Sequence, residues 1–161
     1  MRDLAKAWPV SPPATVYAGP LRRSLDSAIL LADAFRVPLS KRPCLKEWTP
    51  DESGIPQDEY KALEQKSWAD LDSIPPSKES LAQASTRGRR CIEEIAATID
   101  HGTCAVVGHG TLFSLVTAAL KGTRPTEAYK SAIGFADAAI VEVGSGLRLL
   151  REFRHYGPAV N

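Results

Sequence analysis

The chain has 161 residues, 43% of them hydrophobic and 24% charged, with a formal net charge of +1. That make-up belongs to one globular domain long enough to bury a core, and a near-neutral charge gives no field to steer it to nucleic acid or anionic lipid. No apolar run reaches the length of a membrane span, and "MRDLAKAW" does not read as a signal peptide.

The first element in chain order is "ATVYAGP", Ala14 to Pro20, a short strand ended by Gly and Pro. A helix follows it, because Leu25, Ala28, Ile29, Ala32 and Phe35 share one face, and Val37-Pro38 stops it. Between Ser40 and Ser77 the texture changes to prolines and charges. This predicts a lid-like insertion with a short helix near Gln57 to Leu71, whose Trp48 and Trp68 either build an apolar lid or join the core. A second long helix is expected from about Lys78 to Ile99. "TCAVV" then reads as a strand buried on both faces, and "GHG" as the turn into a further helix through Leu112, Leu115, Val116 and Ala119. "ADAAIVEVGSGLRLLREF" closes as two strands around a Gly-Ser-Gly turn. Alternating strands and helices predict a single α/β domain over residues 1–161, a three-layer α/β/α sandwich with a mainly parallel central sheet.

The cysteines, Cys44, Cys91 and Cys104, are odd in number and lack CxxC spacing. Cys91 and Cys104 fall in apolar patterns, where a thiol serves as a small hydrophobe, and a reducing cytoplasm is the expected setting. Thiols and imidazoles never pair at ligand spacing, so no metal site is expected.

His109 stands between two glycines at the end of a buried strand, directly before a helix. In open α/β sheets ligands bind beyond such strand ends, and a helix N-terminus attracts anions. "AGPLRRSLDSA" puts Arg22 and Arg23 in the same setting one strand away. An imidazole, a guanidinium and two helix N-termini together suit a phosphate. Taken alone, Arg23 is as readily a surface arginine. Glu47 shares its loop with Asp51, Glu52, Asp58 and Glu59, any of which offers a carboxylate. The Glu79 to Arg87 spacing reads as the cap and lining of a helix, and His101 as an exposed helix-ending residue.

The order of these pieces resembles the histidine phosphatase superfamily, the phosphoglycerate mutase-like enzymes. "VYAGPLRRSLDSA" is similar to the family's "vyaSPlxRaxxTA", "CLKEW" to its "LxE", "ESLAQASTR" to its "ESxxdxxxR", "AVVGHGTLFSL" to its "vlvVsHGgvir" and "FADAAIVEV" to its late "naaixxl" strand. The resemblance implies that Arg23 binds phosphate, that His109 hydrogen-bonds the transferring phosphoryl group, and that Glu47 protonates the leaving oxygen. Arg22 is then a solvated neighbour. Gly19, Ser27 and Gly108 depart from the family's usual Ser, Thr and Ser.

The family's nucleophile, a histidine in an "RHG" motif at the end of the first strand, has no counterpart before Arg23. Three readings stay open. Either the chain lacks its natural N-terminus, or the nucleophile has been lost, or the motif has moved. The last draws on "REFRHYGPAVN", where Arg154-His155 precedes Asn161 by the offset of the family's R-H-G-E-x-x-x-N, and it makes the chain a circular permutant with Leu147 to His155 filling the central slot. The implied function is hydrolysis of a small phosphomonoester through a phosphohistidine, with His109, Glu47 and His155 catalytic and Arg23 and Arg154 binding substrate. Arginines and imidazoles supply the charge, so no cofactor is expected. The alternatives are a catalytically degenerate member that binds a phosphorylated ligand or partner, and a biosynthetic enzyme with the pocket repurposed. The expected partner is a small phosphorylated molecule, not nucleic acid or membrane, with a homodimer left open.

Overall fold

In the computed structural model, which describes residues 1–156, the centre of the domain is β1, Val16–Ala18. β2, Leu39–Lys41, and β3, Ala105–Val107, flank it in the order β2-β1-β3, both parallel to it. Alternation along β1 builds the layers. Val16 and Ala18 pack with Ala28, Leu31 and Ala32 of α2, Arg22–Phe35, while Tyr17 turns the other way. On that second face Tyr17 meets Cys91 and Ile95 of α4, Leu81–Ala96, and Leu112 of α5, Gly110–Lys121. α1, Arg2–Lys6, lies against α2. The expected α/β/α layering therefore holds.

Helix boundaries follow local chemistry. α4 begins at Leu81, three residues after the expected start near Lys78, because Ser80 forms a reciprocal capping box with Gln83. α2 ends at Arg36, whose left-handed φ of 57° closes the helix just before Val37-Pro38. No helix is long and apolar enough, among the described residues, to cross a membrane.

The Ser40–Ser77 insertion holds β2, a 3-10 turn at Pro43–Leu45 and α3, Gln57–Ala69. It packs onto α4 and α5 through a further apolar cluster, in which Trp48 and Trp68 meet Leu81, Ala84 and Leu115. Trp48 is thus buried core and not the wall of a lid; its indole N–H donates to the Glu79 carbonyl at 2.8 Å. Ionic and backbone bonds fasten the insertion down. Lys130 of α6, Glu127–Ala132, pairs with Glu64, and Arg124 donates to the Ala69 carbonyl.

A second correction concerns Cys91. It is not a lone small hydrophobe but is disulfide-bonded to Cys44, 47 residues away, which ties the insertion to α4. Cys104 remains free.

β4, Ala138–Val143, and β5, Leu147–Arg154, form an antiparallel hairpin separate from the parallel sheet. β3 bonds to the β1 side through Ala105 and Val107, so the N–H and C=O of Val106 face away from it. Among the described residues no strand pairs that outer edge. The permuted arrangement required β5 there. Instead β5 pairs with β4 alone, closed by the Gly144–Gly146 turn. Arg148, Arg151 and Glu152 make β5 too polar for a strand buried on both faces, and all three are exposed. Asn161, invoked for the same motif, lies outside the described residues.

Candidate active site

Two strand-to-helix turns meet at the carboxyl ends of β1 and β3, joined where the Gly19 N–H donates to the Val107 carbonyl at 3.2 Å. His109 is the N-cap residue of α5, with extended backbone, yet its side chain makes no capping bond. Glu47 supplies the cap from the insertion. Its Oε2 accepts from the Thr111 N–H at 3.1 Å, and its Oε1 from the Leu112 N–H at 2.9 Å. This borrowed cap leaves the imidazole of His109 free. Both of its nitrogens are buried and have no hydrogen-bond partner.

Burial, helped by the positive charge of Arg23, pushes His109 down from 6.5 to about 4. The ring is neutral at neutral pH, with one nitrogen able to donate and the other to accept. Burial also raises the Glu47 carboxyl, against the opposing pull of the Leu112, Thr111 and Trp48 N–H groups.

Arg23 sits in the first turn of α2, solvent-exposed and without an ion pair among the described residues. Its neighbour Arg22 is spent on Asp26 at 2.8 Å, the solvated role expected of it. No side chain caps α2, since Leu21 has no acceptor and the Ser24 hydroxyl turns back to the Gly19 and Leu21 carbonyls. Its leading N–H groups stay open to an anion. The α5 terminus does not, contrary to the expectation of two helix ends on one phosphate, because Glu47 already fills it.

Both glycine departures have local causes. A Cβ on Gly19 would stand 2.5 Å from the Leu45 carbonyl oxygen, and one on Gly108 would stand 2.7 Å from the Phe113 ring. Backbone on one side and an aromatic ring on the other occupy the space a serine needs.

The structure thus brings Arg23, His109 and Glu47 to one rim. It does not bring His155 and Arg154 to them. His155 approaches Asp137 at 3.5 Å, and Arg154 lies over the Tyr156 ring, 4.7 Å from its centroid. His101 is exposed beyond α4, as expected. Sequence reasoning placed Glu79 and Arg87 on a helix lining, whereas they form a bidentate pair whose guanidinium also reaches the loop bearing Glu47. The signal available was the "ESLAQASTR" motif itself.

An imidazole and a guanidinium thus stand at adjoining strand ends of an α/β fold, with the Glu47 carboxyl behind them. The family model of the histidine phosphatase superfamily (branch 1) matches residues 1–154, and the chain belongs to that superfamily. Among solved structures it is similar to Bacillus stearothermophilus YhfR, with a TM-score of 0.76 and 21% identity over 94% of this chain and 79% of that one. A phosphoserine phosphatase mutant from Entamoeba histolytica in complex with phosphoserine gives 0.76 at 18% identity, covering 94% and 78%. The α-ribazole phosphatase from Shigella flexneri gives 0.71 at 20%, covering 99% and 82%. No curated protein sequence matches the chain.

Proposed function

We propose that this protein binds a small phosphate monoester between Arg23 and His109 and hydrolyses it, with Glu47 donating the proton to the leaving oxygen. The observation that carries this reading is the His109 imidazole, buried with both nitrogens unbonded under the field of a free guanidinium. A buried polar group without a partner costs stability, so its persistence points to a ligand that satisfies it. Dianionic phosphate does so, and its charge offsets that of Arg23. Similarity to a phosphoserine phosphatase and an α-ribazole phosphatase supports a phosphate monoester as the substrate class.

Of the three histidines only His109 stands at this rim, so hydrolysis through a phosphohistidine would break the ester P–O bond, form a P–N bond to an imidazole nitrogen of His109 and pass the Glu47 proton to the leaving oxygen; water then cleaves the P–N bond and releases phosphate. A neutral imidazole is the nucleophilic form, and a carboxyl raised by burial is a proton donor closer to neutral pH. The seating of His155 against Asp137 favours a second reading, a member that binds a phosphorylated ligand without turning it over. The expected cytoplasmic setting is opposed by the Cys44–Cys91 bond, since disulfides are rare where thiols are kept reduced. Thiol titration of protein prepared without reductant tests it, since cytosolic cysteines are kept reduced and the Cys44–Cys91 bond would then be open.

The deciding experiment combines turnover of p-nitrophenyl phosphate with calorimetric binding of inorganic phosphate, for wild type, His109→Ala, Arg23→Ala and His155→Ala. Loss of turnover in the first two variants alone supports hydrolysis at this rim. Loss in His155→Ala as well returns that residue as the nucleophile. Phosphate binding without turnover selects the binding protein, and no binding in wild type refutes both.

A further inference from the structure

Glu47 reaches α5 from a segment that no regular element holds. The 3-10 turn at Pro43–Leu45 is three residues long and is followed by extended chain, with no sheet pairing at Lys46 or Glu47. Short 3-10 turns have poor hydrogen-bond geometry and fix direction weakly. What fixes this one is α4. Arg87 donates through Nη1 to the Cys44 carbonyl at 2.7 Å and to the Lys46 carbonyl at 2.9 Å. Its Nε and Nη2 engage both oxygens of Glu79, at 2.7 and 2.8 Å, which holds the guanidinium plane still. One helical turn further along the same face, Cys91 bonds Cys44. The carbonyl of Lys46 belongs to the peptide joining it to Glu47, so Arg87 sets the plane from which the Glu47 side chain departs.

We propose that Arg87 is a positioning residue for Glu47, its guanidinium fixing the Cys44–Lys46 strap so that the carboxylate meets the Thr111 and Leu112 N–H groups at the start of α5. The inference deepens the reading of Glu47 as proton donor and rests on it for its catalytic consequence. The geometry calls for a planar fork. A lysine offers a point charge on a flexible stem and cannot serve two carbonyls and a carboxylate together.

The experiment measures amide hydrogen exchange at Thr111 and Leu112 in full-length wild type, Arg87→Met and Arg87→Lys, with Val16 and Tyr17 of β1 as internal references. Exchange at Thr111 and Leu112 is expected to quicken about tenfold in both variants while the references keep their rates. Unchanged rates at those two amides overturn the proposal, and so does an acceleration shared equally with β1, which is plain destabilisation. Should Arg87→Met fail to fold, Glu79→Gln takes its place, with a smaller, two- to threefold effect on the same amides expected because the carbonyl contacts remain.

The catalytic arm compares an alkyl phosphate, glycerol phosphate, with p-nitrophenyl phosphate, whose leaving group needs no proton. Arg87→Lys is expected to lower kcat about tenfold for the alkyl ester and to leave the aryl ester within twofold. A variant that loses both esters equally, with unaltered exchange, also overturns the proposal. If wild type turns over neither ester, the hydrolytic reading fails while the exchange rates still decide the positioning role.

Discussion

Two helices begin at the same rim, each just after a parallel strand, and their termini have been treated in opposite ways. α5 is shut, because Glu47 caps the Thr111 and Leu112 N–H groups from 64 and 65 residues away. α2 is open, with no side-chain cap and with Arg23 beside the unused N–H groups. Under the proposed function, the difference shows how one phosphate site would be built from two equivalent turns. An anion attracted equally to both would sit between them without a fixed pose. Capping one end with a carboxylate would leave the other for the proposed phosphate, and it leaves His109 at the closed end with both ring nitrogens unbonded.

The largest effect should come from removing that free group. His109→Ala is expected to lower turnover of p-nitrophenyl phosphate by about 10²–10⁴-fold in a steady-state assay, with far-ultraviolet circular dichroism unchanged. Closing the open end is the sharper test of the comparison. Leu21→Asp places a carboxylate at the N-cap of α2, which should stabilise the fold by about 0.5–1 kcal/mol in urea titration while weakening phosphate binding about tenfold, because the new charge competes for the same N–H groups. Opening the closed end works in reverse. Glu47→Ala is expected to cost about 1–2 kcal/mol in the same titration, the usual value of a lost cap.

Two smaller effects concern protonation. In Arg23→Ala, the His109 titration followed by NMR should move up from about 4, but by less than half of the way to 6.5, since burial is the larger cause of its depression. In wild type, saturating inorganic phosphate should move the same titration upward, because an anion favours the imidazolium. The linked effect on stability has a definite sign. The unfolded chain takes up a proton at His109 near pH 6.5 and the folded chain only near 4, so this residue makes stability fall as pH drops through that window.

Much of the fold could be read from short-range pattern. The apolar stripe from Leu25 to Phe35 and the run "CAVV" are local signals, and α2 and β3 lie where they imply. Arg23 and His109 were legible because each follows a strand and a turn residue, which fixes its place at the carboxyl end of the sheet. Long-range pairings were not. Nothing local in Cys44 and Cys91 announces a bond across 47 residues, and the burial of Trp48 depends on Leu81 and Leu115, which come from other elements. Glu47 was identified by resemblance as an acid, but its capping of α5 is a tertiary fact that no window around it contains. The placing of β5 turned on competition between two slots. Tight hairpin closure with β4 won, as the charges of Arg148, Arg151 and Glu152 had hinted.

Gly19 carries a consequence for how this lineage can change. A serine there, as in the family motif that the segment resembles, would drive a side chain into the Leu45 carbonyl oxygen, and a main-chain atom cannot rotate aside as a rotamer can. A side chain at position 19 therefore demands that the Cys44–Lys46 strap shift first, so a serine there is tolerated only with a compensating change elsewhere.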